Sequence, residues 1–284
     1  GSDPIENGVI IYQSTSGDAE STTGEAATFQ ASGSTLKSAI TSGAMFYFTN
    51  TSANVVLSDT TLDYDSTDAN LIYAAGNDSN SWGTAGSNGA TVSFTGIGED
   101  MSGDVVADTI SSVDLYLTAG TTWTGAASIE ENANGSTSEA PLSVNVDGTS
   151  SWVVDGDSTV TDLTVADGGK VVDASGNTVT IVANGSTVVE GTSSYTVTVT
   201  GSYSTSYDAS GAGSLSTDLI DRSAFDEAFG TDTSFEMGQA SDTTASTSTT
   251  DTATSESSSA ATTETTSSEN PFQAFLDWFF GLFS

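Results

Sequence analysis

Short segments of alternating apolar and polar residues recur between about residues 7 and 207, and this repetition limits the fold more than any other feature of the chain. A two-residue period with many β-branched side chains is the pattern of a β-strand. Asn-Gly, Asp-Gly, Gly-Gly and Ser-Gly steps separate the segments and supply the positive φ angles that sharp corners need. No helical periodicity competes before residue 215, so the sequence predicts an all-β fold. The clearest strand segments are Val55–Leu57, Val92–Phe94, Val113–Leu117, Leu142–Val146, Leu163–Val165, Val179–Ile181 and Tyr195–Val199.

The spacing of these segments favours one all-β architecture. From Val144 onward, pairs of apolar residues recur at intervals of roughly 16 to 20 positions, which is typical of the coils of a solenoid. We therefore expect residues 1–214 to form a single-stranded parallel β-helix, with Gly-rich insertions such as Gly76–Gly89 looping out at corners. A β-sandwich, which also has short strands separated by polar turns, stays open as the alternative.

The composition excludes several classes of function. The chain has 284 residues, with 38 Asp and Glu against three cations (Lys37, Lys170 and Arg222), a formal net charge of −35, and neither Cys nor His. Zinc sites of the usual kind, thiol catalysis and Ser-His-Asp triads need residues that are absent. Because a nucleic acid would meet a strongly negative field, we expect no nucleic-acid partner.

The chain changes character after residue 214. Residues 215–240 are loosely amphipathic, and the sequence is equally compatible with a capping helix and with an extended wrap. Residues 241–268 contain 20 Ser or Thr, four Ala and four acids, so we expect a disordered linker with nothing to bury. Residues 269–284 are crowded with aromatic side chains behind an Asn-Pro step that is typical of a helix start, and we expect a short aromatic helix there.

This aromatic terminus predicts an anchoring function. As a helix it would extend about 20 Å, which is shorter than the ~30 Å hydrocarbon core of a membrane. We expect it to bind a groove of a partner protein or a membrane interface, or to promote self-association; packing against its own β-domain is the alternative. The candidate anchoring residues are Phe272, Phe275, Trp278, Phe279 and Phe283.

Two pairs of acids are candidate Ca²⁺ ligands. Asp63 and Asp65 flank Tyr64, and Asp155 and Asp157 flank Gly156, so each pair could share a hard cation. Neither pair matches a known calcium-loop motif, and solvated acids at β-turns are the competing interpretation. Calcium is therefore a possible ligand, and no cofactor is required.

Some of the aromatic residues could stack on sugar rings, since they combine a large contact area with a polar group. The tyrosines that could do so, if they share one face, are Tyr47, Tyr64, Tyr73 and Tyr116. The candidate carbohydrate-stacking residues are Trp82, which lies within the Gly-rich insertion, and Tyr73. Trp123 and Trp152 lie in strand segments, where we expect them to pack inside the fold.

Several longer segments of the sequence resemble a known group of proteins. GAMFYFTNTSANVVLSDTTL, MSGDVVADTISSVDLYLTAGTTWTGA and SSWVVDGDSTVTDLTVADGGKVV are similar to adhesin-like right-handed parallel β-helix proteins of bacterial and archaeal cell surfaces. Similar sequences occur in autotransporter passengers and in β-helix carbohydrate-binding domains. The resemblance covers roughly residues 9 to 200 and implies a right-handed parallel β-helix in an extracellular or cell-surface location. It transfers no site residues.

Together these features predict a non-enzymatic, adhesin-like or structural cell-surface protein. We expect it to present an extended acidic face to a cell-surface or matrix glycan or protein. The alternative is a Ca²⁺-dependent polysaccharide-binding module that uses Trp82 or a neighbouring aromatic residue.

Overall fold

The computed structural model describes residues 6–13, 26–77, 82–216 and 223–231, and these residues form mostly β-strands. All pairs of strands among them run parallel except β19 with β20. The predicted all-β class is thus confirmed, and the parallel pairing excludes the antiparallel β-sandwich that the sequence left open.

The first sheet contains five parallel strands in the order β1-β4-β7-β10-β13. Its inward side chains are small or apolar, and its outward side chains include Tyr12, Tyr47 and Tyr73. The strands are β1 (Asn7–Tyr12), β4 (Ala44–Thr49), β7 (Asn70–Ala74), β10 (Val105–Asp108) and β13 (Ala127–Glu130).

The second sheet contains seven parallel strands in the order β2-β5-β8-β11-β14-β17-β22. Its longest register joins β5 to β8 from Thr51↔Ala90 to Ser58↔Ile97. The strands are β2 (Ala27–Ser32), β5 (Thr51–Ser58), β8 (Ala90–Ile97), β11 (Ser112–Thr118), β14 (Leu142–Val146), β17 (Asp162–Val165) and β22 (Tyr203–Ser204).

The remaining strands form three smaller sheets. One pairs β3 (Thr35–Lys37) with β6 (Thr61–Asp63). The next has the order β18-β15-β12-β9 and contains β9 (Asp100–Ser102), β12 (Thr122–Thr124), β15 (Ser151–Val153) and β18 (Lys170–Val172). The last has the order β16-β21-β19-β20 and contains β16 (Ser158–Val160), β19 (Thr180–Ala183), β20 (Ser186–Val189) and β21 (Thr196–Val199).

Strand order follows a simple rule over most of the chain. From β1 to β18, a strand usually pairs with the strand three places before or after it in the sequence, as β1 does with β4, β2 with β5 and β3 with β6. Three consecutive strands therefore belong to three different sheets.

The core is built from side chains that occupy equivalent positions in successive strands. In the second sheet, one such row contains Phe29, Val55, Phe94, Leu115, Val144, Leu163 and Tyr203. Phe46 of the first sheet meets Phe94 edge-to-face, with ring centroids 5.1 Å apart. The side chains of these rows, from the different sheets, form one continuous apolar cluster. Burial of this cluster is the main contribution to the stability of the fold.

One corner uses the same backbone conformation four times. Gly33, Asp59, Gly98 and Ala119 each follow a strand of the second sheet and have φ values of 56°, 51°, 65° and 56°. Only two of the four are glycines, although non-Gly residues are uncommon in this left-handed region. The repeated geometry turns β2, β5, β8 and β11 toward the short strand that follows each of them.

After β22 the chain crosses the outer face of the second sheet. We call residues 209–216 the crossing segment; it begins with a single 3₁₀ turn at Ala209–Gly211. Gln30 of β2 exchanges two hydrogen bonds with the backbone of Ser216, at 2.7 and 2.9 Å. The helix α1 (Ser223–Phe229) follows, with Phe225 and Phe229 exposed.

Candidate binding surface

The outer face of the first sheet carries two neighbouring tyrosines. Tyr47 in β4 and Tyr73 in β7 are register partners, and their ring centroids lie 5.8 Å apart. Phe46 and Phe48 alternate with Tyr47 and are fully buried in the core. The strand alternation therefore sends the two tyrosines to the opposite face of the sheet.

The Gly76–Gly89 insertion adds a tryptophan to the same face. Trp82 stacks on Tyr12 of β1, with ring centroids 4.6 Å apart and an interplanar angle of 20°. Tyr12 lies one strand from Tyr47 and two residues further along, which puts their Cα atoms roughly 8 Å apart. Four aromatic residues from three strands and one loop thus lie on one face.

Hydrogen bonds fix the described parts of the insertion, residues 76–77 and 82–89, over this face. Asn77 pairs with Trp82 across an antiparallel bridge, and its side-chain amide donates to the Tyr47 hydroxyl at 3.0 Å. The side-chain amide of Asn88, a fully buried residue, donates to the backbone carbonyls of Asn77 and Trp82 at 3.0 and 2.8 Å. These bonds join both arms of the insertion to Tyr47.

Solvent reaches these four aromatic residues to different extents. The side chain of Tyr12 is 48% exposed, Trp82 and Tyr73 are half-buried, and Tyr47 is buried beneath its neighbours. We refer to Tyr12, Tyr47, Tyr73 and Trp82 as the aromatic surface. Tyr12, Trp82 and Tyr73 can contact a ligand, while Tyr47 supports them.

Two carboxylates border the aromatic surface. Glu130, at the end of β13, accepts a hydrogen bond from the Tyr73 hydroxyl at 3.0 Å. Burial, reinforced by the Glu130 charge, raises the pKa of Tyr73 to about 12. At neutral pH the phenol of Tyr73 therefore stays protonated and donates a hydrogen bond to the Glu130 carboxylate.

Asp108 ties the neighbouring loops together. Its Oδ2 accepts hydrogen bonds from the Gly76 backbone N–H at 2.8 Å and from the Asn132 side-chain amide at 2.7 Å. Asp108 is 3% exposed and is the register partner of Glu130. Asp108 therefore connects the start of the insertion, at Gly76, to the loop after β13, at Asn132.

The candidate carbohydrate-stacking residues both belong to this surface. The structure brings Trp82, Tyr73 and Tyr47 to the same face, although Tyr47 is buried there, and it adds Tyr12 and Glu130, which the sequence did not single out as a site. An aromatic residue at the outward end of the alternating NGVIIY segment was the available signal for Tyr12. No local signal could identify Glu130, because its bond to Tyr73 spans 57 residues.

The first candidate calcium pair is engaged in local bonds. Asp63 pairs with Lys37 of the neighbouring strand β3. Asp65 accepts hydrogen bonds from the hydroxyl and backbone N–H of Thr67, at 2.7 and 3.1 Å, and these bonds lower its pKa.

The second candidate pair is divided between two environments. Asp157 accepts a hydrogen bond from the Thr196 backbone N–H at 2.9 Å. Burial, together with the charge of Asp104, raises the pKa of Asp155. Within the described ranges, no three acidic side chains are grouped closely enough to hold a metal ion. Calcium binding stays a prediction.

Trp123 and Trp152 are core residues, as their strand context predicted. Both are fully buried in β12 and β15, and their rings stack with centroids 4.8 Å apart. Each indole N–H donates to a backbone carbonyl, of Gly103 at 2.8 Å and of Gly125 at 2.9 Å. Neither tryptophan is available to a ligand.

The candidate anchoring residues Phe272, Phe275, Trp278, Phe279 and Phe283 lie outside the described residues, as does the predicted Ser/Thr-rich linker. In the part of the chain that is described, no helix has the length and apolar character needed to cross a membrane.

Comparison with protein-family models, with curated proteins and with solved structures finds no match for this chain.

Proposed function

We propose that this chain is a non-enzymatic, adhesin-like protein of the cell surface that binds a glycan through the aromatic surface. The observation that carries the proposal is the position of Trp82, Tyr12 and Tyr73 on one outward face. Aromatic rings offer a sugar a large apolar contact area, and the neighbouring Asn77 and Glu130 provide hydrogen-bonding groups.

The architecture that we propose for the scaffold is a parallel β-helix. Support comes from the strand order, in which a strand usually pairs with the strand three places away in the sequence. Apolar rows such as Phe29, Val55 and Phe94 support it as well. Three strands would make one coil, and each coil would stack on the next through parallel pairing. A right-handed winding is part of the same proposal.

Rigidity of the surface supports a binding function. Tyr47 is buried, and the insertion is tied down by Asn77, Asn88 and Asp108. Aromatic side chains that are already ordered lose little conformational entropy when a ligand binds. A rigid aromatic platform suits recognition of an extended polymer better than it suits catalysis.

A glycan-binding assay with substitutions tests this proposal. We expect the full chain to bind at least one polysaccharide, and Trp82→Ala and Tyr73→Ala to weaken that binding about fivefold each, since loss of a stacked ring removes roughly 1 kcal/mol. Phe229→Ala is the matched control, because Phe229 is a 58% exposed aromatic residue of α1 that is not one of the four residues of the aromatic surface. Circular dichroism and thermal unfolding of each variant establish that the fold is retained.

The outcomes separate the alternatives. Failure of the full chain to bind any glycan, or equal binding by Trp82→Ala and the unsubstituted chain, would overturn the proposal. Binding that disappears with a chelator and with Asp155→Asn, but survives Trp82→Ala, would instead support the Ca²⁺-dependent module.

A further inference from the structure

We propose that the aromatic surface recognises a polymer of amino sugars with free ammonium groups, in preference to neutral or uronic-acid glycans. This inference rests on the glycan-binding function proposed above and names the class of glycan.

The charge around the aromatic surface is negative. Glu130 and Glu131 are exposed at the end of β13, and the carboxylate of Asp108 lies one strand away from Glu130. The two lysines are remote in the strand order: Lys37 lies in β3, where it pairs with Asp63, and Lys170 begins β18. No cation on the described strands of the first sheet therefore offsets these carboxylates.

Aromatic rings next to carboxylates form a favourable environment for an ammonium group. A cation is attracted to the electron-rich face of Trp or Tyr, and a carboxylate accepts its N–H bonds. Here Glu130 and the ring of Tyr73 lie together, since the Tyr73 hydroxyl is bonded to Glu130. Only one Glu130 oxygen takes part in that bond, so the other can accept from a ligand.

The same charges oppose an acidic polysaccharide. A uronate chain would place its carboxylates beside Glu130 and Glu131, on a chain whose net charge is −35. Carboxylates that lie next to one another repel strongly at low ionic strength, where salt screens the charges little. A neutral glycan would stack on the rings but would leave the carboxylates without a counter-charge.

The extent of the surface favours a polymer over a single sugar. Tyr12 and Glu130 occupy the same position on the first and last strands of the five-stranded first sheet. Four strand spacings of ~4.8 Å separate them, which is about 19 Å. Several sugar rings are needed to reach from one to the other.

The test compares matched oligosaccharides on the full chain. A fully deacetylated glucosamine oligomer, its N-acetylated equivalent and a uronate oligomer of equal length are titrated by calorimetry at low and high salt. We expect the amino oligomer to bind at least tenfold more tightly than the N-acetylated one at low salt. We expect no measurable binding of the uronate.

Two substitutions of equal charge locate the effect. Glu130→Gln keeps an acceptor for the Tyr73 hydroxyl, and we expect it to weaken binding of the amino oligomer about fivefold while neutral binding changes less than twofold. Asp167→Asn is the matched control, because Asp167 is exposed in the turn between β17 and β18. We expect it to change neither affinity.

Each contrary result has a distinct meaning. Equal affinity for the acetylated and deacetylated oligomers would overturn this inference while leaving the proposed function intact, whereas binding of no oligomer would overturn both. Equal losses from Glu130→Gln and Asp167→Asn would reveal diffuse attraction to a polyanion and overturn the inference. Tighter binding of a lysine-rich peptide than of the amino oligomer would overturn it in favour of a protein partner.

Discussion

Glu99 shows how a single side chain links pH to stability in this chain. It lies between β8 and β9, is 2% exposed, and accepts a hydrogen bond from the Thr60 backbone N–H at 2.8 Å. Its other carboxylate oxygen is buried and has no hydrogen-bond partner among the described residues. Burial therefore raises the pKa of Glu99, against the opposing effect of the Thr60 bond, and the charges of Asp59 and Asp100 raise it further.

A raised carboxyl pKa in the folded state means that ionisation of Glu99 destabilises the fold. This destabilisation decreases as the pH falls, and it disappears below the pKa that Glu99 has in the unfolded state. We expect Glu99→Gln to increase the free energy of unfolding by about 1 kcal/mol near pH 7 and by much less near pH 3.5, because Gln keeps an acceptor without the buried charge. Urea unfolding of both proteins at the two pH values measures the difference.

The control for this prediction is Glu99→Ala, which removes the acceptor for Thr60. It should destabilise the fold at both pH values by about 1 to 3 kcal/mol, the usual effect of leaving a buried donor unsatisfied. A Gln variant that is less stable than the unsubstituted chain near pH 7 would contradict our account of Glu99.

At the scale of elements, the crossing segment joins strands that are distant in the sequence. The hydroxyl of Ser93 in β8 donates to the Gly211 carbonyl at 3.0 Å, and the Gly213 N–H donates to the Thr95 hydroxyl at 2.8 Å. These partners are 118 residues apart. Val56 and Thr95, on the outer face of the second sheet, are only 3% and 1% exposed. The segment therefore runs across the strands and links β2 with β8, in addition to the hydrogen bonds and the apolar rows of the sheet.

The crossing segment needs a glycine at position 213, because its backbone there lies very close to the side chain of Val56. A Cβ atom there would lie 2.5 Å from a methyl carbon of Val56. We expect Gly213→Val to detach the crossing segment and to lower the free energy of unfolding by about 1 to 3 kcal/mol, as overpacking does. Faster hydrogen exchange of residues 209–216, with the strands of the second sheet still protected, would report the detachment.

Ser214→Val is the matched control, since the side chain of Ser214 is exposed on the same segment. It introduces the same side chain at an exposed position, and its exchange should resemble that of the unsubstituted chain. Unchanged exchange in Gly213→Val would show that the segment is not held by this contact.

The whole molecule is dominated by its charge. Against a net charge of −35, the described residues contain a single ion pair, Lys37 with Asp63. Mutual repulsion of the carboxylates then opposes the compact state and is reduced by salt. Because the apolar core runs through all the sheets, the fold tolerates this repulsion without compensating cations.

We expect added salt to stabilise the protein. Raising NaCl from about 10 mM to 1 M shortens the screening length from about 30 Å to about 3 Å. The midpoint of thermal unfolding should rise by about 5 °C, which corresponds to roughly 2 kcal/mol for a domain of this size. A midpoint that falls with NaCl would contradict the repulsion argument. A far larger rise with millimolar CaCl₂ at matched ionic strength would point to specific calcium ligands instead.

Much of the local structure could be predicted because it depends on neighbouring residues. The alternation in Val113–Leu117 places its residues on opposite faces of β11 without reference to the rest of the chain. The expected packing of Trp123 and Trp152 follows from their strand context in the same way. Corners were harder, since Asp59 and Ala119 adopt a conformation that the sequence predicted chiefly for glycine.

The sequence by itself determined the all-β class and the negative field, and it named three residues of the aromatic surface (Trp82, Tyr73 and Tyr47), because alternation, charge and residue type are local properties. Only the tertiary structure decided that Trp82 stacks on Tyr12 and that Tyr73 is bonded to Glu130. Those pairs are 70 and 57 residues apart, and their meeting depends on the register of parallel strands and on the bonds that fix the insertion. Such registers result from burial of the whole core at once, which no short stretch of sequence specifies.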